Sequence, residues 1–330
     1  MHTRRRTAVY AAGHFLVDFA CALAMFRFAR QTAAWQEAVL LYNFCAFALQ
    51  MPFGLLADRW GHGRFFAAGG CLLVSVAYLL PAAPLLMSVA AGIGNALFHI
   101  GGGLDTLHTS EGRAGLLGIF VSPGAFGLFL GAILGKGSAP AVFVPLLLLL
   151  AAAAILLLCG GIGYAPFFLD LSRAGALAGF SLFLVVCLRS YAGFLFAFPW
   201  KTGALAWVFT LCVVLGKTAG GLLYDRIGSR QTSVISLGLA AALFLLSGNP
   251  LCGCAAVLLF NMTMPVTLRA AADWMPGAKG FSFGLLTFAL FLGFLPSYLG
   301  LPGVSAGWMY AALAVLSLTL LLPALKKEPA

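Results

Sequence analysis

The side chains with the clearest chemical potential in this sequence are ionisable groups inside long apolar runs. His14 and Asp18 are four residues apart, as are Asn95 and His99, so each pair would share one face of a helix. Ionisable groups in a membrane interior are costly and usually serve a function. Because the unperturbed pKa of histidine is about 6.5, we predict that His14, Asp18 and His99 take up and release a proton. The alternative is a hydrogen bond between His14 and Asp18 that only stabilises the fold.

A second set of polar residues interrupts other apolar runs and suits substrate binding. The Arg189 guanidinium presents a planar fork of donors that fits a carboxylate or a phosphate-like group. A salt bridge between Arg189 and Asp18 is the alternative, and it would itself form a gate. Lys217 is either a further cationic contact or a side chain that snorkels towards the cytoplasm. The predicted substrate-binding residues are Asn95, Arg189, Tyr191, Lys217, Asn261 and Thr263.

The composition of the chain places these groups in a lipid bilayer. Hydrophobic residues make up 62% of the 330 residues and charged residues only 8%, whereas a soluble domain has about 25% charged residues. The formal net charge is +10, but no basic patch is interleaved with aromatic residues. Nucleic acid is therefore not expected as a partner.

The apolar runs are long enough to be membrane-spanning helices, which need about 20 residues each. They lack the two-residue alternation of barrel strands, and lipid offers no partners to unpaired backbone groups. We therefore predict an all-α integral membrane protein with about twelve transmembrane helices. The predicted segments are 8–29, 36–57, 66–81, 83–104, 114–135, 142–163, 176–198, 204–224, 231–248, 250–268, 281–299 and 305–325.

The distribution of arginine and lysine predicts the orientation. An even number of spans puts most basic residues at chain ends or loops on one side, and only Arg30, Lys136 and Lys201 on the other. Because basic loops stay on the cytoplasmic side, both termini are predicted to be cytoplasmic and the protein to lie in the cytoplasmic membrane.

The sequence gives no indication of a metal or cofactor. Six of the eight cysteines lie in apolar runs, where thiols behave as small hydrophobes. Cys252 and Cys254 are separated by one residue, a poor spacing for a zinc site or a disulfide. His-Glu-x-x-His, Gly-x-Ser-x-Gly and Walker patterns do not occur, so no enzymatic activity is predicted.

A short charged sequence occurs twice, about half the chain apart, at 54–64 and 221–230. Gly61 and Gly228 would allow a tight turn, and Asp58 and Asp225 would each lie against the amino terminus of another helix, where the helix dipole favours an anion. The alternative, a turn with no further role, fits one copy better than two in register. The residues predicted to form conformational-switch loops are Gly54, Asp58, Arg59, Gly61, Arg64, Gly221, Asp225, Arg226, Gly228 and Arg230.

The repeat predicts two similar halves. We expect a six-helix bundle at 1–165, a short cytoplasmic linker at 166–175 and a second six-helix bundle at 176–330. Arg59 and Arg226 would face anionic lipid headgroups or pair with the neighbouring acids. Near the end of the fourth segment, we expect a solvated cytoplasmic network of Asp105, His108, Glu111 and Arg113.

The repeated loop resembles the signature Gly-x-Leu-Ala-Asp-Arg-x-Gly of the major facilitator superfamily. The first copy matches it at Gly54, Leu56, Ala57, Asp58, Arg59 and Gly61, and the second at Gly221, Leu223, Asp225, Arg226 and Gly228. More narrowly, the chain resembles the drug-exporting branch related to fosmidomycin resistance, although Ile100-Gly101 stands where that branch has Pro-Glu. The residues that resemble this branch are Phe98-His99, the stretch 110–135 and Arg189-Ser190-Tyr191.

The resemblance implies two pseudo-symmetric six-helix bundles that rock about a substrate site lined by the first, fourth, seventh and tenth helices. The residues predicted above to transfer protons or bind substrate, except Lys217, lie on these four helices. The expected function is proton-coupled export of a small amphipathic or anionic compound by a monomer. The alternatives are a proton-coupled uptake symporter for an organic anion and a non-transporting membrane receptor.

Overall fold

The computed structural model describes residues 2–137, 140–169, 172–303 and 305–326. Within these ranges the chain is helical and contains no strand. Nine helices are long and apolar enough to cross a membrane, and three apolar helices are shorter. The prediction of about twelve helices is confirmed. They are α1 His2–Ala29, α2 Trp35–Trp60, α3 Gly63–Ala77, α4 Pro84–Thr109, α5 Gly115–Lys136, α6 Val144–Leu158, α7 Arg173–Leu195, α8 Gly203–Ile227, α9 Ser229–Leu245, α10 Pro250–Trp274, α11 Lys279–Tyr298 and α12 Gly307–Ala324.

The helix boundaries follow local chemistry. Pro84 and Pro250 lie in the first turn of α4 and α10, where a missing N–H costs nothing because that group has no partner inside the helix. α1 begins six residues before the predicted segment, since no glycine or proline interrupts residues 2–7. α6 ends at Leu158 rather than at the predicted residue 163.

Several helices depart from regular α geometry, among them α1, α2 and α5. α1 and α2 each contain one π-helical turn, at Met25–Ala29 and Phe44–Ala48. α5 contains Pro123, which removes one backbone hydrogen bond. Such turns are frequent where a helix wall contributes to a functional site.

The chain forms two compact units. The first unit comprises Met1–Glu111, Pro123–Phe168 and Gly277–Phe288, and the second comprises Gly112–Ser122, Leu169–Pro276 and Ala289–Ala330. The sequence boundaries of 1–165, 166–175 and 176–330 stay a prediction. Residues 170 and 171 of the predicted linker lie outside the described residues.

Each unit has its own packing core. In the first unit, glycines of α5 lie against the backbone of α1, so the two helices approach closely: Gly127 meets the carbonyl of Phe15, and Gly131 that of Phe19. In the second unit, aromatic rings with centroids 5.1 to 6.3 Å from Phe196 fill the interior. These rings belong to Phe209, Phe244, Phe260 and Tyr310.

Candidate functional site

The first unit brings His14, Asp18 and His99 together, as the sequence predicts. His14 Nε2 lies 3.2 Å from Asp18 Oδ2, and His99 Nε2 lies 3.7 Å from Asp18 Oδ1. The two imidazole Nε2 atoms are 2.8 Å apart. The histidines are buried, and the Asp18 side chain is 18% exposed. The three groups form one cluster that spans α1 and α4, and we call it the His–Asp cluster.

Asn95 orients this cluster from α4. Its side-chain amide donates to Asp18 Oδ1 at 2.9 Å, and its backbone carbonyl lies 2.8 Å from His99 Nδ1. A carbonyl only accepts, so His99 Nδ1 must donate to it, and neutral His99 then has an accepting Nε2. The proton between the two rings consequently belongs to His14 Nε2. Asn95, whose role in substrate binding stays a prediction, contacts Asp18.

Within the part of the chain that the structure describes, the same three residues are also a group that could bind a metal ion. Each offers one ligand atom, and these atoms lie within 4.8 Å of one another. Two nitrogens bound to one zinc ion at about 2.0–2.1 Å would, however, lie roughly 3.4 Å apart in tetrahedral geometry. The observed separation of 2.8 Å between His14 and His99 is a hydrogen bond. The geometry therefore suits a shared proton better than a metal ion.

The space for the His–Asp cluster is created by a glycine of α5. A Cβ atom at Gly124 would overlap with His14 Nε2 and Asp18 Oδ2. Only glycine leaves room there for both polar groups. Gly124 lies on the same helix as Gly127 and Gly131, so the glycines of α5 both allow close packing against α1 and leave room for the cluster.

In the second unit, Arg189 is buried, with 9% of its surface exposed. Its guanidinium donates to Thr267 Oγ1 at 3.2 Å. Among the described residues, no carboxylate lies within salt-bridge distance of Arg189. A guanidinium has five N–H donors, so one neutral hydroxyl leaves most of this buried charge uncompensated.

Thr267 was missed by sequence reasoning. It lies on α10 four residues after Thr263, and this spacing puts both hydroxyls on one helix face. That spacing was a usable signal. Arg189 and Thr267 together form the cationic site of the second unit.

The remaining predicted substrate residues lie in the second unit. The Asn261 amide donates to the carbonyl of Val257 in its own helix, and the Thr263 hydroxyl donates to Phe260. The Tyr191 ring packs near Phe194, with centroids 6.1 Å apart. Lys217 is half-buried, and its Nζ donates to the carbonyl of Val121 at 3.4 Å, at the first turns of α5.

Asp58 of the first repeated loop caps another helix. Its two carboxylate oxygens accept from the backbone N–H groups of Gly280 and Phe281, at 2.8 and 2.7 Å. These groups open α11, so the carboxylate meets the positive end of the helix dipole. Gly54 lets the two backbones approach, because a Cβ there would overlap with Gly280. The position is the one that the sequence predicted, although the partner helix was not identifiable.

The second loop repeats this contact within the second unit. Asp225 accepts from the N–H groups of Ala114 and Gly115 at 2.7 and 3.1 Å, at the start of α5. Asp58 is 8% exposed, whereas Asp225 is exposed. Gly61 and Gly228 have φ values of 62° and 82°, which confirms that both turns need glycine.

The basic residues of the two loops do not pair with the aspartates. Arg59 and Arg226 are both exposed, and neither lies within salt-bridge distance of a carboxylate among the described residues. The Arg59 guanidinium lies 5.2 Å from the ring centroid of Phe167. Arg64 is half-buried and lies 4.8 Å from the ring of Phe65, while Arg230 is exposed.

The prediction that Asp105 belongs to a solvated loop network is wrong, because its side chain is buried. This carboxylate is 1% exposed and accepts from the hydroxyls of Tyr10 and Tyr164. The Tyr164 hydroxyl also accepts from the N–H of Gly63 at 2.9 Å. Burial, reinforced by the nearby charge of Asp105, raises the pKa of Tyr164. α4 extends to Thr109, so Asp105 lies inside a helix rather than in a loop, while Glu111 and Arg113 are exposed.

Comparison with known proteins gives a match in structure and none in sequence. No protein-family model and no curated protein matches the sequence. The structure is similar to that of the E. coli fucose:proton symporter FucP, with a TM-score of 0.70 and 14% identity over 99% of this chain and 100% of that one. It is also similar to the human organic anion transporter MFSD10 (TETRAN), with a TM-score of 0.72 and 18% identity over 97% of this chain and 100% of that one. The chain is therefore an integral membrane protein with the fold of the major facilitator superfamily transporters.

Proposed function

We propose that this protein is a proton-coupled secondary transporter of the major facilitator type, and that it exports a small amphipathic or anionic compound in exchange for protons. The observation that supports this best is the His–Asp cluster. One carboxylate and two imidazoles share hydrogen bonds inside helices long enough to cross a membrane. Groups of this kind are rare in a membrane interior unless they transfer protons or bind ions.

The charge of the cluster explains how a proton would be coupled to movement. With Asp18 ionised and both histidines neutral, the cluster has one negative charge, and one added proton makes it neutral. A buried charge is far more costly than a buried neutral group. Protonation would therefore favour the states in which the cluster is closed off from water, and deprotonation those in which it is hydrated.

The cationic site of the second unit is the proposed substrate site. Arg189 has a single neutral partner among the described residues, and an anionic group of a substrate would compensate its charge with paired hydrogen bonds. Tyr191, Lys217, Asn261 and Thr263 are proposed to line the rest of the pathway. The two repeated loops are proposed to act as conformational switches during alternating access.

The similar structures agree with the chemistry of both sites. One of the similar proteins is named a proton symporter and the other an organic anion transporter. On these grounds we propose that the protein acts as a monomer in the cytoplasmic membrane, with both termini in the cytoplasm. The relation to the exporters linked to fosmidomycin resistance rests on the motifs in α4, α5 and α7.

Uptake by symport is the second candidate. It is favoured by Arg189, which would bind an organic anion equally well in either direction of transport, and by the similarity to a proton symporter. A non-transporting receptor is the third candidate, and it predicts no flux for any compound.

The test uses purified protein in liposomes that contain a pH-sensitive dye, with the membrane potential clamped. Anionic, cationic and neutral small molecules are added outside. Exchange makes the lumen alkaline as an added substrate enters, whereas symport makes it acidic, whichever way the protein is inserted. Asp18→Asn should abolish the dye signal, because the cluster then has no carboxylate to protonate, while the control Glu37→Gln removes an exposed acid and should keep it.

Three outcomes would decide against the proposal. If the lumen became acidic on addition of a substrate, the protein would be a symporter rather than an exchanger. No signal for any compound, with folded protein confirmed by its thermal transition, would favour the receptor. A signal of unchanged pH dependence in Asp18→Asn would show that the His–Asp cluster does not couple protons.

A further inference from the structure

The first unit contains an apolar cleft on the outside of α2, α3 and α4, with a volume of about 820 Å³. This lies within the range of roughly 300–1,000 Å³ that is usual for small-molecule sites. The cleft is separate from the His–Asp cluster and from the Asp105 network. Its apolar walls are formed by Phe53, Leu56, Phe65, Phe66 and Leu97, and Gly69 forms part of its floor.

One rim of the cleft is basic and aromatic. Arg59, Trp60 and His62 lie there, at the end of α2 and in the turn that follows. The Trp60 side chain is 62% exposed and that of Phe65 is 51% exposed. Large exposed aromatics at the end of a membrane-spanning helix are typical of the headgroup level of a bilayer.

We infer that this cleft binds an anionic phospholipid, with the phosphate on Arg59 and one acyl chain between α2, α3 and α4. The charge complementarity is specific. Arg59 is exposed and has no carboxylate within salt-bridge distance among the described residues. Among the described residues, the neighbouring acid is not its partner: the Asp58 carboxylate accepts from the N–H groups of Gly280 and Phe281 and forms no salt bridge with Arg59.

The position of Arg59 is fixed in a way that suits a resident ligand. Its guanidinium stacks near the Phe167 ring at 5.2 Å, which restricts the long side chain and leaves its planar donors to bind a phosphate. Basic pockets between transmembrane helices are known sites for anionic headgroups. The site is independent of the proposed transport function and would exist in a protein that transports nothing.

Gly69 offers a way to test the acyl chain separately from the headgroup. A Cβ added at Gly69 meets no atom within 4 Å, so the start of the Gly69→Leu side chain is accommodated and the rest of it should occupy part of the cleft. Gly238 in the second unit has the same open surroundings, and Gly238→Leu is the matched control. For the headgroup, Arg59→Gln is matched by Arg226→Gln, the equivalent position of the second repeated loop.

The experiment is native mass spectrometry of delipidated protein in detergent, incubated with phosphatidylglycerol or phosphatidylcholine of the same acyl chains. Wild type should retain phosphatidylglycerol in preference to phosphatidylcholine. Arg59→Gln should reduce that preference about fivefold, the value of one basic residue at an anionic headgroup, and Arg226→Gln should leave it unchanged. Gly69→Leu should reduce retention of both lipids, and Gly238→Leu should not.

Several results would overturn the inference. Equal retention of the two lipids by wild type would show a tail-binding crevice without headgroup recognition. Equal losses in Arg59→Gln and Arg226→Gln would place the lipid preference in general surface charge. Unchanged retention in Gly69→Leu, with the protein folded, would place the lipid elsewhere.

Discussion

The two units of this protein share a helix plan and a loop motif but differ in the charges that they bury. The first unit buries His14, His99, Asp58 and Asp105 and encloses most of Asp18. The second buries two arginines, Arg189 and Arg269. Arg269 donates to Asp273 at 2.9 Å, whereas the partner of Arg189 among the described residues is the neutral Thr267 hydroxyl.

The same asymmetry affects the repeated loops. Both aspartates cap a helix through two backbone N–H groups, but Asp58 is buried and Asp225 is exposed. A charge–dipole contact is stronger when partly removed from water. The two halves thus share one way of capping a helix with an aspartate, while we propose that the first holds a site for protons and the second a site for an anion.

Arg189→Gln should have the largest effect of the variants predicted here, a loss of affinity for an anionic substrate, because it removes the charge that distinguishes the second unit. A hydrogen bond to a charged group contributes about 1.5–3 kcal/mol, so binding of an anionic substrate should weaken at least about tenfold. Arg189→Lys keeps the charge but not the planar fork, and it should recover part of the loss. The measurement is the concentration dependence of substrate uptake into liposomes.

Arg173→Gln is the control for this prediction, since Arg173 is an exposed arginine of the same unit. It should leave substrate affinity unchanged. If Arg189→Gln bound substrate as tightly as wild type, the cationic site would have a structural role alone.

The two loop aspartates should respond unequally to neutralisation. Asp58→Asn should lower the free energy of unfolding by about 2 kcal/mol, the upper range for a partly buried charge at a helix terminus, and Asp225→Asn by less than about 1 kcal/mol. Thermal unfolding of both variants in the same detergent measures the difference. Equal shifts of the melting temperature would mean that burial of Asp58 adds nothing to its contact with α11.

Tyr164→Phe should have a smaller effect than Asp58→Asn and lower the free energy of unfolding by about 1 kcal/mol, because Asp105 loses one hydrogen-bond donor and Gly63 loses its acceptor. Because the pKa of Tyr164 is raised in the folded protein, its hydroxyl stays protonated there while the unfolded chain ionises near pH 10. Its stabilising effect is therefore complete below pH 10 and declines as the pH rises further. Melting curves of wild type and Tyr164→Phe from pH 8 to 11 should converge, and a constant gap would contradict this.

Much of this architecture was predictable from the sequence because the physics involved is local. Membrane-spanning helices follow from apolar length, and the i, i+4 spacing of His14 with Asp18 and of Asn95 with His99 places each pair on one helix face. The cost of burying such groups then predicts that the two pairs meet, and in the structure they do.

The contacts that were missed depend on tertiary structure. Asp58 and Gly280 are separated by 222 residues, and no local pattern identifies α11 as the partner. Asp105 looks like a loop residue in the sequence because charged residues follow it, but α4 continues past it and two tyrosines satisfy its carboxylate. The pairing of Arg189 with Thr267 likewise depends on how α7 packs against α10.

The His–Asp cluster depends on the missing side chain of Gly124. Three ionisable side chains fit between α1, α4 and α5 because the residue facing them has no side chain at all. A single added methyl group at Gly124 would overlap with both His14 and Asp18. A residue with no functional group of its own is thus required for the arrangement of the ionisable ones. The absence of a side chain at Gly124 therefore allows these ionisable groups to lie together inside the first unit.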